Sequence, residues 1–292
     1  MQSKFPSRLL PYLLLSPSIV IVIVFLIIPS LQSLYLSFFR VSPFGDRLIY
    51  VAIDNFTNLL TPDYLNSFIV TVVFTGAVVV VGLVVCLALA LAANQKVAGI
   101  GLYRTGLIWP YALSPAVAGT IWALVFDPST GAFSYFISLA SGAMPNWRTN
   151  GPFAVVVITL AATWKMVGYN VIFFLAGLQT IPRELIEAAE IDGAGPLKRF
   201  WNITFPLLSP MTLFLLIMNT LYGFFQVFGL IDVMTEGGPA RATEVLVYKL
   251  YYDGFISLKT GYASAQSIVL FAFVAGLTLL QFRFAKRWVF YQ

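Results

Sequence analysis

Gln179-Thr180-Ile181-Pro182-Arg183-Glu184-Leu185-Ile186-Glu187-Ala188-Ala189-Glu190-Ile191-Asp192-Gly193-Ala194-Gly195-Pro196-Leu197-Lys198-Arg199-Phe200-Trp201-Asn202-Ile203-Thr204-Phe205-Pro206 lies between two apolar runs and carries seven charged residues. Pro182 is placed to open a helix, and acids in the first turns suit the positive end of its dipole. Arg183 and Glu187 stand four apart, the spacing of an ion pair on one helix face. Gly193 and Gly195 supply the backbone freedom for a stop and turn. Pro196 then opens a second short helix, and Pro206 marks the return to apolar sequence. The pattern predicts a helix–turn–helix outside a bilayer, presenting the small side chains Ala188 and Ala189. Two placements fit it: docked on a partner that approaches closely, or resting on lipid headgroups.

The sequence on either side makes the bilayer necessary. The chain has 292 residues, 59% hydrophobic and 10% charged, with a mean hydropathy of +0.87. Soluble domains carry roughly 25% charged residues. A soluble enzyme, a nucleic-acid-binding domain and a disordered chain are therefore excluded. Six segments reach the ~20 apolar residues a spanning helix needs: Pro11–Ser33, Ser67–Ala93, Thr105–Phe126, Pro152–Gly177, Leu207–Ile231 and Ala263–Phe284. The first is too long for a cleavable signal peptide and lacks a small-residue cleavage site. Pro110 and Pro115 permit kinks in the third. Gly76, Gly82, Ala88 and Ala92 suggest a small face for close packing on the second.

With the N-terminus inside, ten of the seventeen Lys and Arg residues fall on the cytoplasmic side. Lys4, Arg8, Lys96, Arg104, Lys198 and Lys286 are among them. Six lie outside, and Lys165 falls within a span. The positive-inside rule then puts both termini in the cytoplasm. This explains the net charge of +5 without a nucleic-acid partner. The expected fold is all-α, a polytopic permease domain over 1–292 with its core at about 67–284 and the cytoplasmic loop at 178–206. The long outer loops are either a docking surface or connections packed on themselves.

Several chemistries are missing. Cys86 is the lone cysteine and there is no histidine, so intrachain disulfides, imidazole metal sites and His-based triads are excluded. No glycine precedes a lysine, which removes the phosphate-binding loop of ATPases. No nucleophile–base or metal constellation points to an enzyme. No carboxylate lies in a span, which disfavours a proton-coupled carrier.

Lys165 is near the middle of the fourth span, where a lysine costs roughly 2.5–3.5 kcal/mol on insertion scales. It needs a partner or a water-filled cavity. Tyr169 shares its helix face, and Trp164 and Asn170 flank it. An ammonium there suits a phosphate mono- or diester and an aromatic suits a glycerol backbone. A structural lysine bonded to carbonyls of a neighbouring helix fits as well. Asn219, Tyr222 and Gln226, with Gly223, recur at helical spacing on the fifth span, as either a pore stripe or a polar helix contact.

Glu187-Ala188-Ala189, then Gly193, then Ile203 and Pro206 resembles the "EAA" loop of binding-protein-dependent ABC importer permeases. Phe205 stands where the family usually has leucine. The resemblance extends through RLLPYLLLSPS, VSPFGDR, AIDNFTNL, YALSPAVAGTIWALVF, TWKMVGYNVIFFLAGLQTIPRELIEAAEIDGAGPLKRF, EGGPARAT and QFRFAKRWVFYQ. It points to the carbohydrate-uptake branch, and within it to permeases of sn-glycerol-3-phosphate importers. It implies a type I importer fold in a bacterial inner membrane, with a second homologous permease, two ATPase subunits and an extracytoplasmic substrate-binding protein as partners. It implies no cofactor in this chain, ATP and Mg being bound by the ATPase subunits. Glu187, Ala188, Ala189, Asp192, Gly193, Ile203 and Pro206 would couple to the ATPase. Trp164, Lys165, Tyr169, Asn170, Asn219, Tyr222, Gly223 and Gln226 would line the substrate path for sn-glycerol-3-phosphate or glycerophosphodiesters. A neutral-oligosaccharide permease is the alternative within the class. A stand-alone carrier or channel is the alternative outside it.

Overall fold

The computed structural model describes residues 10–43, 45–95, 99–142 and 146–288. Lys4, Arg8 and Lys96, which entered the charge count, lie outside the described residues. The chain divides into two compact units, 1–61 with 250–272 and 62–249 with 273–292.

The first unit begins with an apolar rod, Leu10–Leu36. It consists of α1 (Leu10–Val22), a π turn at Ile23–Ile27 and α2 (Ile28–Leu36). Ile28 N–H donates to Ile23 O, five residues back, just ahead of Pro29, which has no N–H to give. No part of this rod's apolar window is buried within the chain, so its outer surface suits lipid. A two-stranded hairpin follows, β1 (Phe39–Val41) antiparallel to β2 (Leu48–Tyr50), with Phe39 opposite Tyr50. The short helix α3 (Asp54–Thr57) then carries Asn55. The Asn55 amide donates to Ser37 O at 2.8 Å and to Phe39 O at 3.0 Å, which fixes the hairpin. Ser33 and Ser267 share a hydrogen bond of 2.9 Å, and Gln266 donates to the buried carboxylate of Asp253 at 2.7 Å.

The second unit is built around α4 (Pro62–Ala93) and α8 (Gly151–Thr180). Between them come α5 (Ile100–Ile108), α6 (Pro115–Val125) and α7 (Ala132–Ser141). The cytoplasmic-type loop forms α9 (Arg183–Ile191), α10 (Pro196–Arg199) and, after a π turn, α11 (Phe205–Leu207). Then follow α12 (Ser209–Leu221), a π turn at Tyr222–Gln226 and α13 (Phe228–Met234). The chain ends in α14 (Leu246–Tyr251) and α15 (Thr260–Trp288). Two-thirds of the apolar window of α8 is buried, against a third of that of α4. Buried over most of its surface, α8 is the core helix. One apolar cluster sits toward its start, around Phe74, Trp147, Ile158 and Leu230. A second lies toward its end, around Cys86, Phe174, Leu208 and Leu215.

The structure modifies the expected spans at two places. Among the described residues, four helices are long and apolar enough to cross a bilayer, and six spans result only if each of two bent pairs counts as one. The third expected span bends by 105° between Ile100–Ala112 and Pro115–Val125. Trp109–Ala112 tightens into a 3-10 turn, and Ser114 is extended and caps α6 through Val117 N–H. A proline forces its predecessor out of the helical region, so Pro115 breaks the helix rather than kinking it. A 66° bend at Leu208, between Pro196–Leu207 and Ser209–Gln226, falls at the start of the fifth expected span, where Pro210 lies in the first turn of α12. It pauses again at Val227 before α13. The small face expected on the second span is also different. Gly76, Ala88 and Ala92 are exposed, and the buried face runs Val78, Gly82, Cys86, Ala90. Successive steps of four set that face, which a search by residue size overlooks.

Candidate functional site

At about 1.5 Å per residue, the 30 residues of α8 separate two loop systems by about 45 Å. At its start, Gly151 packs against Ala242 of the loop that follows α13. At its end, the chain passes through Ile181 and Pro182, both extended, into α9. The two loop systems are therefore on opposite sides of any bilayer that α8 crosses.

The loop at the far end folds as its residues dictate. Arg183–Ile191 is helical, Asp192 N–H closes on Ala188 O, and Gly193 adopts φ +75°. A side chain at Gly193 would be strained in that conformation. Ala194 N–H returns to Ala189 O at 2.9 Å, completing the stop. Gly195 is extended and leads into Pro196 at the start of α10. The expected pair of Arg183 with Glu187 is not formed among the described residues. Arg199 instead pairs with Glu190 and clasps the two arms of the turn. Arg183 and Glu187 keep the helical spacing without pairing, and the ion pair that forms joins α9 to α10 across the turn.

Glu187, Ala188, Asp192 and Gly193 are exposed, and Ala189 is half-buried. Ile203 and Pro206 are half-buried on the returning arm, behind the tip. Ile191 is 87% exposed and Leu197 72% exposed. Two such aliphatic side chains beside a charged tip form a surface suited to a protein partner. A cleft of about 490 Å³, lined by Leu91, Asn94, Gln179, Ile186 and Thr204 among others, lies beside α9.

The predicted path residues point in three directions around α8. Trp164 meets Trp109 and Trp122, with ring centroids 6.5 and 6.0 Å away. Lys165 is 6% exposed, and its ammonium lies 5.2 Å from the ring centre of Tyr111. Tyr169 lies 5.2 Å from the same Tyr111 ring and 4.8 Å from Phe173. On the opposite side Asn170 meets Asn219 of α12 in a reciprocal amide pair, 3.1 and 2.7 Å. Asn219 also donates to Leu215 O at 2.8 Å.

The remaining fifth-span residues separate from one another. Tyr222 is buried, and its hydroxyl has no hydrogen-bond partner among the described residues. Gly223 lets α4 close in, since a Cβ there would sit 2.6 Å from Thr75 Oγ1. Gln226 is exposed. The π turn at Tyr222–Gln226 inserts an extra residue per turn, so the even stripe of Asn219, Tyr222 and Gln226 is broken. Sequence reasoning missed Tyr111 as a partner of Lys165. The flanking Pro110 and Pro115 signalled the bend but not what it carries.

At the other end of α8 the loops are tightly fixed. Asp127 accepts from Ser129 N–H and Oγ and from Thr130 N–H and Oγ1. Arg148 pairs with it at 3.0 Å. The Ser129 hydroxyl above all, with the neighbouring amides, holds its carboxyl well below the usual carboxylate range. Glu236, Gly237, Ala240 and Arg241 all have positive φ. Thr243 pins this turn through its hydroxyl, which lies 2.6 Å from Gly238 O and 2.8 Å from Thr235 Oγ1. Arg241 pairs with Asp63 at 2.6 Å, and Ser67 and Lys249 both meet Glu244. The Glu236-Gly237-Gly238-Pro239 turn is thus a rigid part of the packing around the starts of α4 and α8.

The chain is similar to proteins of known kind over its whole length. Residues 132–289 match the family described as "Binding-protein-dependent transport system inner membrane component". The chain is 50% identical over 288 residues to the "sn-glycerol-3-phosphate transport system permease protein UgpA" of Rhizobium meliloti (strain 1021), covering 98% of each. It is 43% identical over 289 residues to the protein of the same name from Yersinia pestis bv. Antiqua (strain Antiqua), covering 99% of this chain and 98% of the other. Its fold matches a chain in the crystal structure of a bacterial ABC transporter involved in the import of the acidic polysaccharide alginate. That match has a TM-score of 0.82 at 21% identity over 95% of each chain. Family, fold and helices converge: the chain belongs to the binding-protein-dependent transport system inner membrane components, the permeases of ABC importers.

Proposed function

We propose that the chain is one permease of an ATP-driven importer that carries sn-glycerol-3-phosphate or a glycerophosphodiester inward. The observation that carries this reading is its 43–50% identity, over nearly the full length, to permeases of sn-glycerol-3-phosphate transport systems. The buried Lys165 supports it chemically. Among the described residues no carboxylate pairs with this lysine, which leaves its charge available to an anionic ligand. Trp164 and Tyr169, with the exposed Gln226, belong to the same proposed path, and Asn170, Asn219, Tyr222 and Gly223 support it from within the packing.

The exposed tip at Glu187–Gly193, with Ala188, Ala189 and Asp192, is the docking element for an ATPase subunit. Ile203 and Pro206 anchor its returning arm. Closure of the two ATPase subunits on ATP and Mg moves this tip. The bent helix pairs then tilt and open the path toward a loaded binding protein on the other side. A second, homologous permease completes the path. The chain carries no nucleotide chemistry, both termini are cytoplasmic, and one permease domain spans the chain.

The test is reconstitution in vesicles with the second permease, the ATPase and the binding protein. Uptake of sn-glycerol-3-phosphate should depend on all of them and fall at least tenfold in Lys165→Ala with assembly intact. Uptake that survives Lys165→Ala refutes the ligand role of the lysine. Uptake by this chain alone refutes the importer reading.

A further inference from the structure

Lys165 has no hydrogen bond or ion pair among the described residues, although it is 6% exposed. The group facing its ammonium is the Tyr111 ring, at 5.2 Å, within the range of a cation–π contact. Tyr111 lies on the 3-10 turn Trp109–Ala112, just before the 105° bend. It is 43% exposed, so it has room to move. Its ring also contacts Tyr169, one turn along α8 from Lys165.

An ammonium is held more strongly by a phosphate oxygen, through charge-assisted hydrogen bonds, than by the face of a ring. We infer that Tyr111 is a displaceable cover. It holds the Lys165 ammonium while the site is empty and yields it to the anionic group of a ligand. A neutral polyol has no charge with which to draw the ammonium off the ring, so the cover discriminates by charge. Short segments at element ends absorb such a movement most readily. This inference rests on Lys165 being a ligand contact, as proposed above.

The test uses the assembled importer in nanodiscs and a membrane-permeant amine-acylating reagent. Labelling of Lys165 is read by peptide mass spectrometry, with the exposed Lys198 as internal standard. Tyr111→Met should raise Lys165 labelling several-fold, and Tyr111→Phe, which keeps the ring, should not. Tyr111→Leu repeats the test should the Met form fail to assemble. Sn-glycerol-3-phosphate should suppress labelling, and glycerol should not. A cation–π contact of ordinary strength corresponds to about 2- to 30-fold in competition. The half-protecting concentration should therefore fall by about that factor in Tyr111→Met. Unchanged labelling and unchanged protection in Tyr111→Met overturn the cover while leaving the ligand reading in place. If the phosphate ester protects no form of the protein, the ligand reading fails and the displaceable cover falls with it, whatever Tyr111→Met does to labelling.

Discussion

Asn170 and Asn219 exchange two hydrogen bonds across the seam of α8 and α12, both side chains fully buried. In a bilayer the interior gains little from apolar burial, so small residues and polar clasps set which helices adjoin. This clasp also shows why a polar stripe in a span does not by itself mark a pore. One member of the expected stripe satisfies its amide within the protein.

The clasp predicts a measurable coupling. Asn170→Leu or Asn219→Leu alone strands the other amide and should destabilise the folded chain by about 1–2 kcal/mol. The double substitution removes both polar groups and should cost less than the sum of the single ones. A double-mutant cycle on unfolding in mixed micelles measures it. A cycle that closes to zero would mean that the two amides do not support each other.

Close approach of the π turn after α12 to α4 makes a second prediction. At Gly223 a Cβ would meet Thr75 Oγ1, Cγ2 and Cβ at 2.6 to 3.0 Å. Gly223→Ala should cost about 1–3 kcal/mol through overpacking, and adding Thr75→Ala should recover most of it. Gly76 is exposed on α4, and a methyl placed there would meet nothing within 4 Å. Gly76→Ala should therefore be neutral or mildly stabilising. Thermal midpoints of the purified variants separate the two sites.

Asp127 predicts a pH dependence confined to the loop after α6. Its folded carboxyl is depressed, chiefly by the Ser129 hydroxyl. A depressed acid contributes order that is present above the ordinary carboxylate range, about pH 4. That order is lost as pH falls toward the folded value. Hydrogen-exchange protection of Ser129 and Thr130 should therefore persist through neutral pH and weaken below about pH 4. In Asp127→Asn the protection should be lower and flat over the same interval. An Asn variant with the wild-type profile would assign the effect to another group.

Much of the architecture was legible in sequence because apolar length is a direct signal. The spans around α4, α8 and α15 needed nothing more. The bends between Ala112 and Pro115 and at Leu208 were not legible as angles. A proline marks where a helix loses a donor, and tertiary packing decides how far the chain then turns. Lys165 was legible as a lone intramembrane charge, and its Tyr111 cover was not, because the two meet only through the bend. Asn170 and Asn219, 49 residues apart, were each visible as polar, but their pairing depends on helix rotation. The π turn at Tyr222–Gln226 has no sequence signature of the kind that Gly193 gives its turn, so the displacement of Gln226 went unread.

Coupling at the tip between α9 and α10 gives the last prediction. Glu187 and Ala188 are exposed at the tip, while Glu190 is engaged by Arg199. A role in docking and a role in holding the turn therefore fall on different residues. Glu187→Arg reverses charge at the proposed contact without touching the Glu190–Arg199 clasp. It should either release the ATPase subunit on co-purification or leave ATP hydrolysis running without uptake. Ala188→Trp should do the same by bulk, since a small side chain there is what admits a partner closely. Arg199→Gln removes a clasp in which Glu190 is largely solvent-exposed, and such pairs are worth about 0–1 kcal/mol. It should loosen the turn, seen as faster exchange at Ala194, while retaining most of the ATPase. If Arg199→Gln releases the ATPase and Glu187→Arg does not, the partner reads the shape of the turn rather than the chemistry of its tip.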